Sequence, residues 1–220
     1  GLTVYLQAEH LRTFKQMTAQ KNKNNIAPRN FIYPKNILNL LATIDTSANE
    51  VHRHEAIKTL AKIKNQDAYR ALMEVYRVYA WRDTKKAIIQ ALGHSTSQRV
   101  VEFLIRIANS TSDLYLAREA IYALTNSCTF DATMFITSIL ESTEHPLLAD
   151  ALFSIDHMRS LPNIETFKYL LSHFENLSPQ TQQNLIQVIH NNRLDELWAS
   201  STEAITNCSD LADNILECYQ

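Results

Sequence analysis

Hydrophobic positions along this chain fall into one five-residue block that returns at nearly constant spacing. The block reads Ala56-Ile57-Lys58-Thr59-Leu60, then Ile88-Ile89-Gln90-Ala91-Leu92, Ala120-Ile121-Tyr122-Ala123-Leu124, Ala151-Leu152-Phe153-Ser154-Ile155 and Leu185-Ile186-Gln187-Val188-Ile189. The last residues of successive blocks step by 32, 32, 31 and 34. Within each block the apolar residues stand at i, i+1 and i+4, one stripe of an amphipathic helix, here termed helix A. A polar stretch follows each block and holds Asp67, Ser97, Asp131, Asn163 or Asp195. These residue types cap helix N-termini, because their side-chain oxygens accept from orphan backbone N–H groups. A second apolar-periodic run, helix B, follows each of them.

The pattern predicts helix pairs at 50–80, 83–109, 113–141, 145–175 and 178–206. A helical leader precedes them, and a closing helix follows at 209–219. Organisation along the chain is therefore an N-terminal cap at 1–48, repeats at 49–208 and a C-terminal cap at 209–220. The polar run at 19–25 reads as a loop in the leader. Proline respects this punctuation: Ser178-Pro179 reads as an N-cap followed by the first helical position, and Pro34, Pro146 and Pro162 also precede apolar runs. Superposing the second helices of the first two repeats with an offset of 29 matches Ala71, Leu72, Val75, Val78 and Tyr79 to Val100, Val101, Leu104, Ile107 and Ala108. One such pair cannot bury both of its apolar faces, so neighbours must stack into a continuous core.

Composition narrows the function classes. With only two glycines, Gly1 and Gly93, the chain has no place for a phosphate-cradling loop, a dinucleotide turn or a nucleophile elbow. No uncharged apolar run reaches the roughly 18 residues of a membrane span, although the apolar patch Leu2–Leu6 after Gly1 leaves room for a removed N-terminal signal or anchor. Net charge is −2, but residues 1–110 carry 17 Lys/Arg against 8 Asp/Glu, and residues 111–220 carry 4 against 15. The resulting halves of +9 and −11 would steer an acidic partner toward the N-terminal half. Cys128, Cys208 and Cys218 form no CxxC and read as small buried apolar residues, with Cys208 and Cys218 left open to pairing in an oxidising compartment.

The residues His54-Glu55-Ala56-Ile57-Lys58-Thr59-Leu60 and Asp67-Ala68-Tyr69-Arg70-Ala71-Leu72 resemble the HEAT-like repeat of the phycobilisome-lyase type. The likeness covers about 50–206, closest in the first three repeats. It implies an all-α, right-handed α-solenoid of about five helix pairs whose second helices line a concave face. It also implies a binding habit and no particular reaction. A di-iron member of the repeat class, deoxyhypusine hydroxylase, holds its metals with repeated His-Glu pairs. Here only His54-Glu55 keeps the pair, and the equivalent positions are Lys86-Ala87, Arg118-Glu119 and Ala149-Asp150. Among the histidines, His52 and His54 are two apart and point to different sides of a helix, so they do not share a metal.

Candidate chemistry is confined to binding. Arg70 and Arg77 are seven apart on helix B, nearly aligned, and with the offset of 29 Arg99 and Arg106 repeat them. Glu141 takes the place of Arg106 in the third repeat. Beside Tyr69 and Tyr76, these four guanidiniums form a basic ladder suited to carboxylates of a protein partner. Nucleic acid is disfavoured, because the acidic half would repel phosphates. The aromatics Tyr79, Trp81, Phe103, Tyr122, Phe135, Phe153, Phe167 and Phe174 read as packing residues. The expectation is a non-catalytic, cofactor-free scaffold or adaptor. The alternatives are a bilin-lyase-like or cofactor-handling helper and a nucleic-acid-binding solenoid.

Overall fold

A computed structural model describes residues 33–110, 112–155, 158 and 163–192. Among the described residues the regular structure is helical throughout, with no strand. The helices are α1 (Lys35–Thr46), α2 (Glu50–Lys62), α3 (Gln66–Val78), α4 (Arg82–Leu92) and α5 (Gln98–Ala108), then α6 (Leu114–Ser127), α7 (Phe130–Leu140), α8 (Leu148–Ile155), α9 (Ile164–Ser172) and α10 (Pro179–Asn191). A short 3₁₀ turn, Phe174–Asn176, stands between α9 and α10. The first four expected helix pairs are thus present as α2–α3, α4–α5, α6–α7 and α8–α9, and α10 is helix A of the fifth. The loop at 19–25, the closing helix at 209–219, Trp198, Cys208 and Cys218 lie outside the described residues.

All fifteen apolar positions of the repeating block are buried. The chain divides into two compact units between Leu92 and Gly93, inside the second repeat. In the first unit α2 packs on α1, α3 and α4, and α3 packs on α1 and α4. Helix α1 therefore takes the place that a helix B of a preceding repeat would hold, with Ile37, Leu41 and Ile44 buried. In the second unit α6 packs on α5, α7 and α8, α7 packs on α5 and α8, and α8 packs on α10. Within each unit the central helices, α2 and α6, each pack on three others, which is how a helix with a wide apolar stripe buries it between neighbours.

The helices B register differently from the sequence expectation. Their N-caps are Asn65, Ser97 and Thr129, two steps of 32. Buried positions follow the same step: Ala68, Val100 and Ala132, then Leu72, Leu104 and Ile136, then Val75, Ile107 and Ile139. The offset of 29 fails because it assigns Val78 and Tyr79 to the core, whereas Val78 is 41% exposed and Tyr79 ends the helix. Caps shift accordingly. Asn65 accepts from the Ala68 N–H and Thr129 from the Ala132 N–H. Asp67 and Asp131 sit inside the first turn, where a carboxylate faces the positive end of the helix dipole. Asn163 and Ser178 cap as expected, accepting from the Glu165 and Thr181 N–H groups, whereas Ser97 holds the N-cap position without a side-chain cap hydrogen bond.

Two turns between helices A and B use a left-handed residue that is not glycine: Lys64 at φ 53° and Cys128 at φ 50°. Cys128 caps α6 and is exposed, not a core residue as its type suggests.

Candidate protein-binding surface

The outward stripe of each helix B follows from the register of 32. Its positions are Asp67, Arg70, Glu74 and Arg77 on α3, then Arg99, Glu102, Arg106 and Asn109 on and just beyond α5, then Asp131, Met134, Ser138 and Glu141 on and just beyond α7. The two arginine pairs therefore hold different positions of the repeat: Arg99 occupies the position of Asp67, and Arg106 that of Glu74, three residues earlier in the register than Arg70 and Arg77. Glu141 corresponds to Asn109 at the helix end. Charge reversal in the third repeat falls at Asp131, opposite Arg99.

The six residues expected at a binding face separate into two groups. Tyr69 is 8% exposed and belongs to the core, because its register position is that of Val101. Tyr76 is half-buried, and the Lys85 ammonium covers its ring at 5.0 Å. Arg70 is half-buried near Tyr33, whose hydroxyl donates to Glu74 at 2.7 Å. Burial first, then the Glu74 carboxylate, push that hydroxyl well above its ordinary range, and the Arg70 charge opposes them. Arg77, Arg99 and Arg106 stand exposed, with no hydrogen bond or ion pair among the described residues.

Sequence reasoning missed a second surface feature in the first unit. Trp81 was expected to pack inside but is 53% exposed just before α4. The Arg53 guanidinium lies over its ring at 4.7 Å, and the Tyr79 ring is tilted against it at 5.6 Å. Arg53 also donates to the Ser47 carbonyl at 2.8 Å, and Tyr79 donates its hydroxyl to Asp45. Burial and Asp45 raise the Tyr79 hydroxyl above its ordinary range. The available signal was position: Trp81 lies in a connection between helices, where side chains reach solvent.

The helix-A column that carries His-Glu pairs in the di-iron relative is occupied differently here. Arg118 Nε donates to Asp150 at 2.7 Å, and the Tyr122 hydroxyl donates to the same carboxylate oxygen at 3.0 Å. Burial and Asp150 push the Tyr122 hydroxyl up to about 12. Phe153, 55% exposed, meets the Tyr122 ring edge-on at 6.0 Å. In the first unit His54 Nε2 lies 3.6 Å from Glu50. Among the described residues no three His, Cys, Asp or Glu side chains are grouped to hold a metal ion, and no helix is long and apolar enough to cross a membrane.

Helices repeating in pairs, with the apolar block of every helix A buried, define an α-helical repeat protein of the solenoid class. The family model for HEAT repeats matches residues 37–155, more than half of the chain, and the chain belongs to that family. The match starts within α1, in keeping with its packing as a helix B of a preceding repeat. A search of curated proteins finds no match.

Proposed function

We propose that this chain is a non-catalytic scaffold that holds a protein partner with an acidic surface against its helices B. The observation that carries the proposal is the state of Arg77, Arg99 and Arg106: three exposed guanidiniums with no partner among the described residues. A guanidinium offers a planar fork of donors matched to a carboxylate. HEAT repeats commonly serve as protein-interaction scaffolds, and their second helices line the face used for binding. The resemblance to the phycobilisome-lyase repeat type extends to the repeat pattern alone, and Arg118, Tyr122 and Asp150 spend their polar groups on one another, which favours binding over catalysis.

Affinity capture followed by mass spectrometry tests the proposal, comparing the native chain with the double variant Arg77→Glu, Arg106→Glu. The expected result is loss of the captured proteins at unchanged melting temperature, because both positions are exposed. Unchanged capture would overturn the proposal. A mobility-shift titration over a salt series separates the nucleic-acid alternative, since phosphate binding must weaken steeply as salt rises.

A further inference from the structure

In the second unit, Phe130 is 77% exposed and Met134 is 54% exposed, one turn apart on α7. Single exposed apolar side chains are ordinary, but residues at i and i+4 share a face and present their area together. Helix α7 packs on α5, whose matching outward positions are Arg99, Glu102 and Arg106. The apolar pair is thus bordered by two guanidiniums without partners among the described residues. Arg99 and Arg106 are about 10.5 Å apart along the helix axis, and Phe130 and Met134 about 6 Å. A facing helix meets both spacings with carboxylates two turns apart and apolar side chains one turn apart. An extended strand advances about 3.4 Å per residue, so 10.5 Å is three residues and would turn the second carboxylate to the opposite side. Asp131 and Glu141, at the two ends of α7, repel an acid-coated ligand on that flank and orient its acidic edge toward α5.

We infer that the α5–α7 face of the second unit docks an acidic amphipathic helix of a partner protein. Its apolar pair sits on Phe130 and Met134, and its carboxylates reach Arg99 and Arg106. The inference rests on the scaffold function proposed above and specifies the partner's chemistry and its seat.

The test selects a displayed library of helical peptides against the full chain and measures the best synthetic peptide by fluorescence anisotropy. Enriched peptides should combine an apolar pair one turn apart with acidic residues on one flank. Phe130→Ala and Met134→Ala should each weaken binding by about fivefold or more. Arg99→Glu with Arg106→Glu should weaken it at least about tenfold and flatten its salt dependence. Lys35→Glu, on the first unit, should leave it unchanged. All five positions are exposed, so melting temperatures should stay at the native value. Enrichment of basic peptides, no enrichment at all, or binding indifferent to Phe130→Ala and Met134→Ala would overturn the inference. Indifference to these two combined with sensitivity to Arg77→Glu would reject this seat while leaving the scaffold function standing.

Discussion

Asp150 is the point at which α8 is tied to α6, and its removal gives a prediction whose size follows from the geometry. One carboxylate oxygen accepts from Arg118 at 2.7 Å and from Tyr122 at 3.0 Å. The Asp150 side chain is only 11% exposed, whereas that of Arg118 is 49% exposed. The tyrosine's hydrogen bond, from a neutral donor to a carboxylate, contributes about 1 kcal/mol once the partial exposure of Tyr122 is allowed for. The charge-assisted arginine bond would contribute about 2 kcal/mol if buried, but Arg118 regains water when its partner is lost, which reduces that share to about 1 kcal/mol. Asp150→Ala should therefore cost about 2 kcal/mol at neutral pH. Asp150→Asn, which keeps an acceptor and loses the charge, should cost about half as much. Urea unfolding followed by far-UV circular dichroism measures both, and a double-mutant cycle with Arg118→Met isolates the ion pair. Alkaline titration adds a second readout. Because Tyr122 is pushed up to about 12 in the folded chain against an ordinary 10, its contribution to stability is complete below pH 10 and is lost as pH rises toward 12. Burial is the largest single cause of that shift, followed by the charge and the hydrogen bond of Asp150, so the alkaline slope should become shallower in Asp150→Ala without vanishing. A loss under about 0.5 kcal/mol, or a coupling to Arg118 near zero, would refute the view that this pair ties the two helices.

Two further predictions concern helix ends. The Leu147 N–H donates to His145 Nδ1 at 3.1 Å, so this histidine caps the entry to α8 as an asparagine would. Burial lowers the His145 pKa below its ordinary 6.5, so stability is full above that value and falls as pH drops through the folded pKa. His145→Asn keeps the acceptor and should remove that acid-side slope in chemical denaturation; an unchanged slope would assign it to other groups. At the left-handed position, Cys128→Gly relieves about 1–2 kcal/mol of backbone strain and adds about 0.5–1 kcal/mol of chain entropy. A gain of up to about 1 kcal/mol should result, seen as a higher melting temperature. Thr96 stands at the same place in the second repeat without a positive φ, so Thr96→Gly should lower it.

Much of the architecture was legible because burial imposes a rhythm on the sequence. The five blocks place Ala56, Ile57, Leu60 and their counterparts on one stripe, and helix A forms around each because no other arrangement hides those residues from water. Apolar spacing fixed the phase of helix A but left that of helix B open. Runs such as Ala71, Leu72 and Val75 fit offsets of 29 and 32 alike, since moving a helix by three residues returns nearly the same stripe. The N-caps Asn65, Ser97 and Thr129 and the depth of Tyr69 select 32, and with that choice the arginines of α3 and of α5 fall at different positions of the repeat.

By itself, then, the sequence determined the all-helical repeat, its period, the core of every helix A and the absence of glycine-dependent machinery, all local consequences of hydrophobic spacing and backbone chemistry. Only the tertiary structure decided which polar residues remain available. Tyr69 went to the core, Tyr76 lay under Lys85, Asp150 gathered Arg118 and Tyr122, and Trp81, Phe130 and Met134 reached solvent. Such outcomes depend on which neighbouring helix fills the space beside a residue, and that is settled by packing between segments distant along the chain.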